Sequence, residues 1–166
     1  MRVSSLAAVA LILGLPGVCQ AAEADYLNSI AGNWSGKGVV LTKIGGSKVN
    51  VSCSLQVGST AASLSMNGRC RGLLVSRGFS ADVKASGSRY SGTYVGPSGQ
   101  PSRLSGSRRG ETVNLAVTWA RVVNGDRNAS MTIEKLGANG LRLRTIDKDV
   151  ATGRSVATSS IEFTRR

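Results

Sequence analysis

The chain has no histidine anywhere in its 166 residues. That removes the Ser-His-Asp triad, the Cys-His dyad and every His-ligated metal site. Acids are scarce as well: 9 Asp and Glu stand against 21 Lys and Arg, for a net charge of +12. No spacing among Asp82, Glu111, Asp126, Glu134, Asp147, Asp149 and Glu162 singles out the carboxylate pair of a glycosidase. Asp147-Lys148-Asp149 is suited to touching a cation, but a full calcium loop is missing. Aromatic residues are 4% of the chain, too few to interleave with the basic residues as a nucleic-acid platform. The length is that of one domain, short for a two-domain cofactor enzyme. These absences point away from an enzyme, from a cofactor or metal, and from nucleic acid.

What is present begins with an apolar run, Leu6–Leu15, behind Met1 and Arg2. Pro16 and Gly17 break it, and the small residues Ala21, Ala22 and Ala24 follow. This is the pattern of a secretory signal peptide, and the run is too short for a permanent membrane helix. No later run is long enough to span a bilayer. Ala22-Glu23-Ala24 places the cut before Asp25, and Cys19-Gln20-Ala21 offers a second cut before Ala22. A lipid anchor on Cys19 would want a small residue where Val18 stands. Residues 1–24 are thus read as leader and 25–166 as a single domain in the periplasm. Loss of Arg2 and Glu23 with the leader keeps the net charge at +12. Cys53 and Cys70 remain, and an exported chain with two cysteines pairs them.

Asp25–Ala31 predicts a short helix, capped by Asp25, with Tyr26, Leu27 and Ile30 on its apolar side and Gly32 at its end. The rest alternates with period two between Gly- and Ser-rich turns. In Val49, Val51, Cys53, Leu55 and Val57 every second residue is apolar. Leu64, Met66, Gly68 and Cys70 follow in the same way, so a hairpin centred between Ala61 and Ala62 sets Cys53 opposite Cys70. Further strands are expected at Ser35–Lys43, Leu73–Val83, Arg89–Val95, Ser102–Arg108, Thr112–Trp119, Asn128–Lys135, Gly140–Asp147 and Thr158–Arg165. The fold class is therefore all-β: one antiparallel barrel of about eight to ten strands with a short N-terminal helix. Closure removes the edges that a long meander would expose. Asn33-Trp34-Ser35-Gly36 is echoed by Arg89-Tyr90-Ser91-Gly92, which suits two strand starts on opposite sides of the barrel.

The short helix leading into Gly32-Asn33-Trp34 resembles the G-x-W start of lipocalin-like (calycin) barrels. In that family a basic residue from the last strand packs over the Trp, a place the resemblance gives to Arg165 or Arg166. A longer pattern also resembles small exported proteins of alphaproteobacteria. It runs through Gly32-x-Trp34-Ser-Gly-x-Gly38, Gly68-Arg69-Cys70, Tyr90-Ser-Gly-Thr-Tyr-Val-Gly-Pro97 and Leu104-Ser-Gly-Ser-Arg108. That resemblance implies a periplasmic address and supplies no activity. The chain is similar, too, to small periplasmic barrel inhibitors of secreted metalloproteases, which begin near a Trp and carry one disulfide.

Two sets of residues are candidates for binding. Trp34, Trp119, Tyr90 and Tyr94 would line a barrel cavity, or simply fill it. Arg69, Arg71, Arg77, Arg103, Arg108, Arg109, Arg142 and Arg144 would hold an anion, or form a solvated positive surface. The partners these point to are a lipid, lipopolysaccharide or an acidic glycan. The function expected is a non-catalytic envelope barrel binding an apolar or anionic component. The alternative is a protein-interaction module such as a protease inhibitor. A binding barrel needs a roomy interior with an open mouth, whereas an inhibitor needs a filled barrel and a projecting segment.

Overall fold

The structure is a computed structural model and describes residues 17–166. The apolar run expected to lead the chain, Leu6–Leu15, lies outside the described residues. A helix, α1 (Gly17–Ile30), precedes ten strands. These are β1 (Gly32–Leu41), β2 (Lys48–Thr60), β3 (Ser63–Gly72), β4 (Val75–Ser86), β5 (Arg89–Val95), β6 (Pro101–Arg109), β7 (Thr112–Val123), β8 (Asp126–Leu136), β9 (Gly140–Lys148) and β10 (Ser155–Arg165). Each pairs antiparallel with the next, and β1 pairs with β10 to close a barrel. The fold is the single antiparallel barrel the alternation predicts.

The β2–β3 hairpin takes the expected register, with Cys53 opposite Cys70. Their sulfurs are bonded, 17 residues apart in sequence. Several bounds differ from expectation. The helix starts at Gly17, and Asp25 stands exposed within it instead of capping it. The alanines at 21, 22 and 24 are strong helix formers and carry the helix back past Asp25. Strand β1 starts at Gly32, because Gly32 to Trp34 pair with Val57 to Leu55. Leu73 and Leu74 form a turn and β4 begins after them. Two apolar residues at a turn gave no Gly or Asn signal to separate them from the strand.

The barrel has a filled end and an open end. Tyr26, Leu27 and Ile30 of α1 are buried, as the helix's apolar side requires, and they lie across the filled end with Trp34, Val113, Leu141 and Phe163. Trp34 Nε1 donates to the Ile30 carbonyl at 3.1 Å. Arg165 lies over the Trp34 ring at 4.2 Å, the place the lipocalin resemblance assigns. Its guanidinium also donates to the carbonyls of Ala31 (2.5 Å) and Ser29 (2.6 Å), which the helix end leaves without partners.

On the far side of the same helix, Glu23 is buried and accepts from Tyr90 Oη. Its carboxylate pairs with Arg108 at 2.9 Å, and Arg108 lies over the Tyr26 ring. The two echoed segments, in β1 and β5, thus grip one helix from two sides. Both segments need their glycine. A Cβ on Gly36 would meet the Glu162 carbonyl at 2.5 Å, and one on Gly92 would meet the Asp82 carbonyl at 2.0 Å. Only glycine lets the neighbouring strands approach so closely at these tight bends.

Candidate functional site

The open half of the barrel encloses a cavity of about 810 Å³. Its floor is the inward row of the sheet, including Met66, Val83, Leu104, Leu115 and Ile161. Alternation puts these side chains inside because the opposite parity carries the polar residues. The wall carries an aromatic arc. The Tyr94 and Trp119 rings are 6.1 Å apart and edge-on, and Phe79 lies 6.5 Å from Tyr94. Burial pushes the Tyr94 hydroxyl pKa up to about 12, so it stays neutral at physiological pH.

One carboxylate faces this apolar space. Asp147, near the end of β9, is 4% exposed and lines the cavity. Its Oδ1 accepts from Trp119 Nε1 at 3.1 Å, and its Oδ2 accepts from Thr158 Oγ1 at 2.5 Å. Among the described residues it forms no ion pair with Lys or Arg. Two irregularities of the sheet aim its partners. Strand β10 slips register against β9 between Ala157 and Ser159, which leaves Thr158 as the extra residue. That bulge shifts the inward parity of β10, so Thr158 turns in towards the mouth and Ile161 and Phe163 turn in towards the filled end. Strand β7 slips against β8 just after Thr118. There the Trp119 carbonyl accepts from Arg127 Nε at 2.7 Å and the Ala120 N–H turns to Ser102 Oγ at 3.2 Å. Bulges of this kind re-aim side chains next to binding sites.

The aromatic candidates divide between the two ends. Trp119 and Tyr94 line the cavity, whereas Trp34 and Tyr90 lie at the filled end, engaged with α1. The basic candidates do not converge. Arg69 and Arg71 stand exposed on the outer face of β3, and Arg103 and Arg109 are exposed on β6. Arg108 is held by Glu23, whose hydrogen bonds raise the guanidinium pKa further. Arg142 sits between Glu134 (3.0 Å) and Glu162 (2.8 Å) on the outer wall. Arg144 shares that wall and forms no ion pair among the described residues. Arg77 reaches the cavity mouth. The pair Asp147 and Asp149 is split: Asp147 points inward, while Asp149 holds the β9–β10 loop. Its bond from the Thr152 hydroxyl keeps its carboxyl below the usual range.

Sequence reasoning named Asp147 only as a cation contact beside Asp149 and assigned Glu23 to the leader, so it placed neither in the interior. Asp147 was within reach: Leu141, Leu143, Thr145 and Asp147 share one parity in β9, and the first is in the core. Glu23 was not, since its partners lie 67 and 85 residues away.

No family model matches the sequence, and no curated protein matches it. Solved structures do match in fold. Rv2717c from M. tuberculosis superposes with a TM-score of 0.66 over 86% of this chain and 96% of its own, at 11% identity. The S-type phycobiliprotein lyase CPES from Guillardia theta gives 0.57 over 92% and 98%, at 13% identity. At such identities the likeness is one of fold alone.

Proposed function

We propose that this protein is a non-catalytic carrier that holds an apolar molecule inside its barrel and meets a hydrogen-bond-donating or cationic group on that molecule with Asp147. The observation that carries the reading is the cavity of about 810 Å³, apolar on most of its wall and open at one end. Cavities of roughly 300–1,000 Å³ with a few placed polar groups are the usual form of small-molecule sites. An inhibitor scaffold would have its barrel filled. Arg77 and Arg121 reach the cavity, but both are exposed to solvent, and the charged side chain buried inside is the Asp147 carboxylate, which argues against an anion as the main cargo. A buried carboxylate without a cation is costly, and a ligand amine removes that cost. The phycobiliprotein lyase in the comparison is named for an enzyme. Here Asp147 has no second carboxylate beside it in the cavity among the described residues, which supports binding over catalysis.

The address we infer is the periplasm, with the leader cut before Ala22. The disulfide supports an oxidising compartment. Among the described residues no helix is long and apolar enough to cross a membrane. Glu23 supports the earlier of the two cuts, since a cut before Asp25 would strip Arg108 and Tyr90 of their shared partner.

Three probes with one tail test the cavity: dodecylamine, dodecanol and dodecanoate, each displacing an apolar naphthalene dye. The amine should bind tightest and the acid weakest. Asp147→Asn should weaken the amine by about tenfold or more, about 1.4 kcal/mol, and leave the alcohol nearly unchanged. If none of the three displaces the dye or binds directly, the carrier reading fails. If the acid binds as well as the amine, the role given to Asp147 fails while the cavity stands.

A further inference from the structure

The mouth of the barrel is unusual in what it exposes. Leu73 is 90% exposed and Leu74 fully so, and Val75, Val122 and Val150 are also exposed. They lie in the β3–β4 turn, at the start of β4, at the end of β7 and in the β9–β10 loop, which surround the open end. The filled end shows no such residue among the described ones. Single exposed apolar residues are ordinary, but a set gathered around one opening marks an interaction surface.

The backbone at Leu73 sharpens this. Its φ is +53°, in the left-handed region, which is unfavourable for a residue with a Cβ. Two of the three two-residue turns at the filled end use a left-handed residue, and both place glycine there, Gly87 at +54° and Gly110 at +57°. At the mouth the chain carries a strained, solvent-facing leucine where glycine serves elsewhere. Fold stability gives no reason for that choice, whereas a surface that receives the leucine does.

Charge completes the pattern. Lys43, Lys48, Arg121, Lys148 and Arg154 stand exposed in the loops and strand ends of the same open end. None forms an ion pair among the described residues. The acids at this end are occupied locally: Asp126 accepts from the Asn128 N–H, and Asp149 from Thr152 and the Ala151 N–H. Apolar tips ringed by cations complement a bilayer with anionic headgroups, the tips entering the acyl boundary and the cations meeting phosphate.

We infer that the mouth rim docks on an anionic lipid bilayer, with Leu73 and Leu74 inserted and the rim cations on the headgroups. In that orientation the cavity opens onto the membrane, and an apolar cargo passes between the two without crossing water. The inference does not depend on what the cavity holds.

Vesicle flotation of the chain beginning at Ala22 tests it. Vesicles of phosphatidylglycerol and phosphatidylcholine should carry the protein upward, and vesicles of phosphatidylcholine alone should not. Added salt should weaken the association. Leu73→Asp with Leu74→Asp should cut it by roughly tenfold or more. Leu73→Gly relieves the backbone and removes the side chain, so this variant should melt no lower than the parent and still bind several-fold less. Arg109→Asp, at the filled end, separates the rim from the general +12 charge and should change little. No flotation with either vesicle overturns the inference. So does a loss with Arg109→Asp as large as that with the leucine variants, because the attraction would then be one of net charge.

Discussion

The tyrosines of this chain report on two parts of the interior, Tyr26 and Tyr90 on the filled end and Tyr94 on the cavity. There are three, and burial raises the hydroxyl pKa of all: Tyr94 to about 12, and Tyr26 and Tyr90 upward too, with the Glu23 hydrogen bond adding to the shift at Tyr90. In the unfolded chain each ionises near 10. Between these values the unfolded state has released protons that the folded state keeps. Stability is therefore full below pH 10 and falls as pH rises from 10 through 12. Near-ultraviolet absorbance of tyrosinate should stay flat past pH 10 and then rise together with unfolding. A titration centred near 10 in the folded protein would contradict the burial of these rings. At this scale the sequence was legible where parity alone decided. Cys53 facing Cys70 followed from alternation, and Arg165 over Trp34 from a family resemblance. Parity could not say which of four inward aromatics meets open space, since that depends on where the helix lies.

Helix α1 is the element that makes the two ends of the barrel unlike. Its apolar side was readable in Tyr26, Leu27 and Ile30, but its start was not, because the residues before Asp25 also fit a leader. Tertiary contact decides the matter through Glu23, a buried acid whose partners come from β5 and β6. A chain beginning at Asp25 should be less stable than one beginning at Ala22 by about 2 kcal/mol, the cost of leaving the part-buried Arg108 without its carboxylate and the Tyr90 hydroxyl without its acceptor. Glu23→Gln in the longer chain should recover part of that difference, since it keeps an acceptor for Tyr90. Paired thermal melts of the three proteins check this. Equal melting temperatures for the two starts would mean that the helix end adds nothing. The bulges in β7 and β10 are features of elements too, and they were invisible in advance. The β10 bulge adds one residue and the β7 irregularity sets residues 119–122 against residue 127 alone, so each strand reads as regular until the step where its pairing fails.

The molecule as a whole is a modest core held in a ring, and the disulfide stiffens one hairpin of that ring. The loop it closes, 17 residues in sequence, predicts roughly 3 kcal/mol from restriction of the unfolded chain. In the chain beginning at Ala22, Cys53→Ser should lower the melting temperature by roughly 10 °C and leave a reactive thiol at Cys70. Thiol titration of the denatured, oxidised parent should find none. The ring-shaped topology was legible because ten short alternating segments with tight turns have few other solutions. The cavity was not, because apolar alternation is the same for a filled barrel and a hollow one.

Ring closure also sets the order in which this protein can be assembled. Every strand pairing but one joins neighbours along the chain, across a short turn or loop. The exception joins β1 to β10, and Arg165 secures it by reaching back to the first helix and the first strand. Until that joint forms the sheet is a meander with two bare edges, each a template for another chain. The two ends of the polypeptide act as a clasp: the chain can build its hairpins one by one, but it has no inside before the clasp shuts.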